Sequence, residues 1–224
     1  MMNVLTILLD LPLKEEELPF FRGALIAEVG ASNILFHDHT EEGLRYSYPL
    51  IQYKCLGGYA AVTAIESAIP QAGCLFFGDK DSFRLKIGRK YVVTSVADIH
   101  KQALDLAVTE QMNEYTITRW LPLNQENYRK YQEIDSLSER FSFLERLLVG
   151  NILSFAKGVG VFLDGDVKVK ITDQLSTQTC RFKGVDMLSL SLRFKSNVTL
   201  PEFIGLGKGV SLGFGTVNRV KSEK

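Results

Sequence analysis

The sequence predicts an α+β protein made of two similar halves, each with an antiparallel sheet. Short apolar runs typical of strands alternate with amphipathic helical stretches in the order strand, helix, strand, strand, helix, strand. This is the order of the ferredoxin-like (RRM-like) fold, and it then recurs in the second part of the chain. The predicted tandem domains are residues 1–112 and 113–224, and no low-complexity linker separates them.

The first half begins with an apolar run at 3–10, which predicts a buried strand. A helix follows, because apolar residues from Leu18 to Val29 recur at helical spacing and three acids at 15–17 favour its amino terminus. A strand-like segment at 46–55 leads to Gly57-Gly58, which permits a tight turn. The remaining predicted elements are a strand at 59–65, a helix at 66–77 and strands at 84–87, 90–95 and 102–109.

The second half contains the clearest helix of the chain. An apolar stripe runs from Leu137 to Phe155, and Gly158 and Gly160 end it. A strand at 114–121 and a short helix at 124–131 precede this helix. The strands predicted after it are 167–172, 177–183, 188–195 and 212–217.

Composition excludes several classes of protein. The 224 residues are 46% hydrophobic and 23% charged, and fourteen Phe and eight Tyr supply core material, so the chain is not expected to be disordered. Its apolar runs are far shorter than the roughly 20 residues of a membrane span, and no basic leader marks a secretory signal. The three cysteines, Cys55, Cys74 and Cys180, form neither a zinc-like nor a redox pair, which favours a reducing cytoplasm.

Charge is balanced overall but unevenly distributed. Twenty-six basic and twenty-six acidic residues argue against a bulk electrostatic nucleic-acid binder. Residues 1–50 contain three basic and eight acidic side chains, whereas residues 151–224 contain eleven and six. A polyanion site is therefore expected to draw on the carboxy-terminal third, although a solvated face also explains such an asymmetry.

A glycine-rich segment near the carboxy terminus is the most specific pattern. Backbone amides in such a segment can bind phosphate, next to the charge of Lys208. The pattern is not a Walker loop, and the third glycine of a dinucleotide fingerprint would fall at Val210. A glycine-rich hairpin without a ligand is the alternative interpretation. The candidate phosphate-binding positions are Gly205, Gly207, Lys208, Gly209, Ser211, Gly213 and Gly215.

A second candidate site is the segment that contains His37, Asp38 and His39, followed by Tyr46 and Lys54. In an extended chain, side chains two residues apart share a face, with Cα atoms about 6.6 Å apart. Two imidazoles so placed can flank one phosphate, one as a neutral base and the other as a protonated acid. Tyr46 and Lys54 can then donate to the non-bridging oxygens. A metal site is the competing hypothesis, but zinc needs three or four ligands and no other His or Cys cluster completes the set. A surface loop with incidental histidines is the third.

Both segments resemble signatures of one family. A His after the first helix, followed by Tyr-x-Tyr-Pro-Leu-Ile-Gln-Tyr-Lys, is similar to the CRISPR repeat-RNA processing endoribonucleases. The glycine-rich segment resembles the signature of the RAMP superfamily, to which those enzymes belong. The two signatures lie far apart in the sequence, and the double α+β order covers essentially the whole chain.

The resemblance implies a metal-independent endoribonuclease without a cofactor, which cuts CRISPR precursor RNA within its repeats. The 2′-hydroxyl upstream of the cut attacks the adjacent phosphate and leaves 2′,3′-cyclic phosphate and 5′-hydroxyl ends. The general acid–base residue corresponds to His37 or His39, Tyr46 falls where a family tyrosine assists, and Lys54 is a charge stabiliser.

The resemblance also implies that the glycine-rich segment binds the RNA backbone, with Lys208 and Ser211 on phosphates. Four basic residues expected on strands are candidates for a face that binds an RNA stem without reading its sequence. They are Lys168, Lys170, Arg181 and Lys183.

The expected partner is CRISPR repeat RNA, with a CRISPR effector complex as a further candidate and no membrane. The sequence leaves open a monomer or a homodimer, and which histidine is the base. A non-catalytic RAMP subunit that binds guide RNA is the main alternative, although it would not need His37, His39 and Tyr46 together. A metal hydrolase using both histidines is the other, and a chelator would inhibit it.

Overall fold

The computed structural model describes residues 1–29, 48–77 and 82–220. Within these ranges the chain forms two four-stranded sheets and one separate two-stranded hairpin. No helix in the described part of the chain is long and apolar enough to cross a membrane.

Two compact units divide the chain. The first unit consists of Met1–Leu104 together with the short segment Ser211–Gly213. The second unit consists of Asp105–Val210 and the residues from Phe214 onward. The carboxy-terminal part of the chain therefore contributes three residues to the first unit.

The described part of the first unit contains six strands and two α-helices. In chain order they are β1 (Met2–Pro12), α1 (Leu18–Val29), β2 (Ile51–Leu56), β3 (Tyr59–Ile65), α2 (Ile69–Phe76), β4 (Phe83–Ile87), β5 (Lys90–Thr94) and β6 (Val96–Leu104). The main sheet has the order β2-β3-β1-β6 with every neighbouring pair antiparallel. This is the ferredoxin-like order and confirms the predicted fold of the first half. The β4–β5 hairpin is inserted before the last strand.

Helix α1 packs on this sheet through residues spaced three and four apart. Leu18, Phe21 and Leu25 are fully buried, and the rings of Phe21 and Tyr53 of β2 meet edge to face with centroids 6.0 Å apart. The Glu17 carboxylate accepts a hydrogen bond from the backbone amide of Lys14 (2.9 Å) just before the helix begins. The three acidic residues at 15–17 form a 3₁₀ turn directly before α1, and the first turn of α1 itself contains no acidic residue.

The second unit repeats the topology of the first. Its elements are β7 (Val108–Trp120), α3 (Gln125–Gln132), α4 (Leu137–Gly158), β8 (Val169–Phe182), β9 (Val185–Val198) and β10 (Thr216–Arg219). The sheet order β10-β7-β9-β8 is again ferredoxin-like and antiparallel. At the point in the chain order where the first half has α2, the second half has a 3₁₀ turn at Val210–Leu212 and the glycine-rich segment, of which Ser211–Gly213 belongs to the first unit.

The apolar stripe of α4 is confirmed in its central part. Leu144, Leu148 and Ile152 are fully buried, whereas Leu137 at the start of the helix is exposed to solvent. Helix α3 begins after Asn124, whose Oδ1 accepts a hydrogen bond from the amide of Asn127 (2.7 Å).

The strand predicted at 102–109 is wrong, because two strands meet there. Strand β6 ends at Leu104, which lies opposite Met2 of β1, and β7 begins at Val108, which lies opposite Val198 of β9. The alternation of side chains continues across residues 105–107 while the partner strand changes. A sequence pattern shows the alternation of side chains along a strand, but it does not show which neighbouring strand each residue pairs with.

The strands predicted at 167–172 and 177–183 are one strand, β8. Its register against β9 shifts between Ile171 and Asp173 and again between Gln174 and Ser176. Such bulges interrupt the polar–apolar alternation and imitate a strand end in the sequence. Lys168 lies one residue before this strand and Lys183 lies in the turn after it, so neither is a strand residue.

The strand predicted at 212–217 is also shorter than expected. Leu212 ends the 3₁₀ turn, and β10 begins only at Thr216. Gly213 and Gly215 have φ values of +77° and +65°, which belong to the left-handed region and not to extended backbone. The glycine-rich segment is therefore a folded loop.

Candidate functional site

Three predicted catalytic residues, His37, His39 and Tyr46, lie outside the described residues. The described chain resumes at Tyr48, and β2 begins at Ile51, inside the predicted segment 46–55 but later than its first residue. The amide nitrogen Nε2 of Gln52 donates to the Tyr48 hydroxyl (2.8 Å) and to the Pro49 carbonyl (3.0 Å). Gln52 thus holds the residues immediately before β2 against the strand.

Lys54, the fourth predicted catalytic residue, lies in the middle of β2 and is fully buried. Ile51 and Tyr53 belong to the hydrophobic core under α1, so alternation places Gln52 and Lys54 on the opposite face of the sheet. That face is buried as well, since both Gln52 and Lys54 have no exposed surface. A lysine in such a position is unusual and is a candidate for function.

The amine of Lys54 is electrostatically uncompensated. Its Nζ atom has no hydrogen-bond partner in the described part of the chain. Burial disfavours the charged form and lowers the pKa of Lys54 from 10.5 to about 7. The amine therefore changes charge near neutral pH, and an approaching anion would favour its protonated form.

The Ser211–Gly213 segment lies directly on β2, within the first unit. A Cβ atom at Gly213 would lie 3.1 Å from the Tyr53 carbonyl oxygen, 2.8 Å from Cδ1 of Leu18 and 3.7 Å from Cα of Lys54. The structure thus brings together two positions that the sequence analysis nominated separately, Lys54 and Gly213. Glycine at 213 is required by this close approach as well as by its positive φ.

The other glycines of the segment lie in the second unit. Gly215 lies so close to the Leu206 carbonyl that a Cβ would overlap it, and Gly205 packs on Val210. Gly207 lies against the Trp120 indole, and Gly209 against the Phe182 and Phe214 rings. Close packing therefore accounts for much of the glycine spacing that the sequence analysis associated with RNA.

The polar residues of the segment are accessible. Lys208 is exposed between Gly207 and Gly209, and Ser211 is half-buried. Both can contact a ligand without a change in the packing of the glycines.

The four basic candidates of the second sheet form two separate pairs. Lys168 and Lys170 lie at the start of β8, whereas Arg181 and Lys183 lie at its other end, roughly 35 Å away at 3.3 Å per residue. Lys170 is also 3.3 Å from the carboxylate of Glu145, which reduces its availability to a phosphate. The four residues do not form a single compact patch.

Sequence reasoning missed the pair that supports the glycine-rich segment. The indole Nε1 of Trp120 donates to Oδ1 of Asn151 (2.9 Å), and Gly207 packs on both side chains. A signal was present, because Asn151 lies seven residues after Leu144, on the apolar stripe of α4. A polar residue on such a stripe indicates a buried partner.

The competing metal hypothesis used His37 and His39, which lie outside the described residues. Among residues 1–29, 48–77 and 82–220, no three His, Cys, Asp or Glu side chains are grouped so as to hold a metal ion.

Comparison with known proteins identifies the family. Residues 1–105 match the Cas6b N-terminal domain and residues 107–220 match the Cas6b C-terminal domain. A crystal structure of Cas6b superposes with a TM-score of 0.86 at 28% identity, over 98% of this chain and 100% of that one.

Two further relatives extend this result. A crystal structure of the CRISPR RNA processing endoribonuclease Cas6b superposes with a TM-score of 0.74 at 26% identity, over 98% of this chain and 100% of that one. An uncharacterised protein of Methanocaldococcus jannaschii is 36% identical over 121 residues, which are 52% of this chain and 79% of the relative. Since the two domain models together account for nearly every residue, the chain belongs to the Cas6b family.

Proposed function

We propose that the protein is an endoribonuclease that processes CRISPR precursor RNA by cutting within its repeats, without a metal ion. The observation that carries the proposal is the match of both domains to Cas6b, together with the similarity to a solved CRISPR RNA processing endoribonuclease over 98% of the chain. The buried, unpaired amine of Lys54 supports a catalytic centre at β2.

The reaction is an internal transfer of the phosphate. One imidazole of the His37 and His39 pair removes the proton of the 2′-hydroxyl, and the 2′-oxygen attacks the adjacent phosphorus. The bond from phosphorus to the 5′-oxygen breaks, and a protonated group donates a proton to that leaving oxygen. The products are a 2′,3′-cyclic phosphate and a 5′-hydroxyl. Water is therefore not a reactant, and the reaction needs no metal ion.

Lys54 and Tyr46 stabilise the charge that develops on the phosphate in the transition state. A pKa near 7 leaves Lys54 partly neutral in the free protein at neutral pH. The negative phosphate raises the pKa of the amine, which then takes up a proton and faces the non-bridging oxygens as an ammonium. Its burial excludes water and strengthens this interaction.

The glycine-rich segment positions the RNA backbone. Ser211–Gly213 packs on β2, where a Cβ atom at Gly213 would lie 3.1 Å from the Tyr53 carbonyl oxygen and 3.7 Å from Cα of Lys54, so the segment can bring a phosphate to the strand that carries Lys54. Lys208 supplies an exposed positive charge in the same segment. Binding and chemistry are thereby linked through β2.

The test is cleavage of end-labelled repeat RNA from the source genome by the purified protein in EDTA. One RNA carries a 2′-deoxy nucleotide immediately upstream of the cut, and the protein variant is His37→Ala, His39→Ala. We expect a single cut that persists in EDTA and is abolished by either change, with a cyclic phosphate at the new end. Lys101→Gln, an exposed lysine on β6, serves as the matched control.

Three results would contradict the proposal in different ways. Binding without cleavage would support the non-catalytic guide-RNA subunit. Cleavage that disappears in EDTA and returns with a divalent cation would support the metal hydrolase. Cleavage of the 2′-deoxy RNA at the same site would exclude attack by the 2′-hydroxyl.

A further inference from the structure

The inserted β4–β5 hairpin has two faces of opposite character. Phe83 and Leu85 are buried in the core of the first unit, so one face of the hairpin holds it to the domain. In the hairpin register Arg84 lies opposite Val93, and Lys86 lies opposite Tyr91. These four residues form the other face, where Tyr91 is 61% exposed and Val93 is 70% exposed.

The exposed face combines an aromatic ring with positive charge. The guanidinium carbon of Arg84 lies 4.8 Å from the centre of the Tyr91 ring, and Nζ of Lys86 lies 5.9 Å from it. These contacts hold the ring in place. In the part of the chain that the structure describes, no carboxylate pairs with Arg84 or Lys86. Both charges are therefore available to an anionic ligand.

A groove of about 850 Å³ lies between this hairpin and α1. Its helical wall includes Phe20, which is 56% exposed, and Gly23, where a Cβ atom would meet nothing within 4 Å. Arg89 lines the groove from the hairpin turn, and Glu28 contributes the one carboxylate among its lining residues. The volume lies in the range of sites that bind small ligands or single nucleotides.

This combination matches the chemistry of unpaired nucleic acid. Residues 82–94 contain four basic side chains and no acidic one, although the whole chain is neutral. Exposed rings stack on bases that are free of a helix, and neighbouring Arg and Lys side chains contact phosphates. An acidic peptide would use the cations but would leave the rings of Tyr91 and Phe20 without a flat partner.

We propose that the groove between α1 and the β4–β5 hairpin binds a single-stranded segment of the RNA, with an unpaired base on Tyr91 and phosphates on Arg84, Lys86 and Arg89. This site rests on the proposed function for the identity of its ligand, but it uses none of the residues assigned to cleavage or to the glycine-rich segment. It extends RNA recognition to a hairpin for which the sequence predicts two strands but no function.

The test measures binding, independently of cleavage, on the full-length protein in EDTA. The probe is a short fluorescein-labelled oligouridylate followed by fluorescence anisotropy, and the variants are Arg84→Gln with Lys86→Gln, Tyr91→Leu and Tyr91→Phe. The matched control removes two charges elsewhere, as Lys101→Gln with Lys157→Gln, both exposed lysines outside the hairpin. The same oligouridylate with 5-iodouridine is cross-linked by light, and the modified peptide is identified by mass spectrometry.

We expect Tyr91→Leu to weaken binding by about tenfold, which is typical of the loss of one stacked base. The variant that combines Arg84→Gln with Lys86→Gln should weaken binding by about the same factor, because it removes two phosphate contacts. Tyr91→Phe keeps the ring and should bind like the unchanged protein, as should the double lysine control. The cross-link is expected at Tyr91 or Phe20. All hairpin substitutions lie on the exposed face, so thermal unfolding should be unchanged.

Equal loss of affinity in the hairpin variant and in the double lysine control would overturn the inference, because charge alone would then explain binding. A cross-link confined to the glycine-rich segment would overturn it too, and so would an acidic peptide that competes as well as RNA does. Failure of the proposed function is distinguishable, since it is the absence of repeat cleavage while the hairpin still binds the oligouridylate.

Discussion

The position of Lys54 makes stability depend on pH in an unusual direction. Burial lowers the pKa of Lys54 to about 7 in the folded protein, whereas in the unfolded chain the same amine keeps its ordinary pKa of 10.5. Between these two values the unfolded state binds more protons, so the free energy of unfolding rises with pH across this window. Below pH 7 the folded state carries a buried ammonium, so the full cost of removing this charge from water lowers the free energy of unfolding.

Lys54→Met is therefore expected to stabilise the protein. The free energy of unfolding should rise by about 1–3 kcal/mol below pH 7, and this gain should shrink as the pH increases toward 10. Urea unfolding of both proteins at a series of pH values measures the difference. Lys101→Met, at an exposed position, should show no such trend. Destabilisation by Lys54→Met at every pH would show that the amine has a partner in solution.

Sequence reasoning reached part of the site at the level of single residues. The motif predicts a role for Lys54, but its burial cannot be predicted from the sequence, since strand alternation places Gln52 and Lys54 on a face that would ordinarily be exposed. Gly213 and β2 are distant in sequence, so no local sequence pattern predicts that they lie close together. The roles of His37 and His39 stay predictions.

At the level of elements, replacing a glycine by alanine can cost free energy in two ways, through backbone strain at positive φ and through collision of the added methyl group with neighbouring atoms. Gly213 and Gly58 both have positive φ, +77° and +85°, but only Gly213 meets other atoms. Gly58→Ala should lower the free energy of unfolding by about 1 kcal/mol, which is the cost of the backbone conformation alone. Gly213→Ala should cost about 2–4 kcal/mol, because the methyl group also collides with Leu18 and the Tyr53 carbonyl.

Urea unfolding of the two alanine variants under identical conditions measures this difference. Both glycines belong to the first unit, so the comparison stays within one core. Equal costs at the two positions would mean that Ser211–Gly213 does not pack on β2 in solution.

The sequence patterns predicted elements well where the local pattern and the partner agree. The spacing of Leu18, Phe21 and Leu25 correctly predicts α1, and the Gly57-Gly58 pair correctly predicts the β2–β3 turn. Both succeed because residue spacing and positive φ are local properties. The errors arose where the outcome depends on a partner strand. The bulges after Ile171 and the change of sheet at 105–107 are decided by pairing with β9 and β1, which a single sequence does not display.

For the whole molecule, the small number of proposed phosphate contacts predicts a modest salt dependence of RNA binding. The exposed cations proposed to contact RNA in the groove and in the glycine-rich segment are Arg84, Lys86, Arg89 and Lys208. Each phosphate contact on a single strand contributes about −0.7 to the slope of log K against log salt. The expected slope for the full chain is therefore about −3, measured by anisotropy across a KCl series. A slope steeper than about −6 would indicate many more contacts than these four side chains provide.

The Ser211–Gly213 segment also has a consequence for synthesis on the ribosome. Residues 1–104 emerge first, yet the part of β2 at Tyr53 and the Leu18 side chain receive their cover from residues made much later. At about 5–20 residues per second, the wait between Leu104 and Ser211 is roughly 5–20 seconds. During that interval the amino-terminal domain lacks the segment that packs on Leu18 and on the Tyr53 carbonyl in the complete protein. Translation speed along the second half thus sets how long the first half stays unfinished.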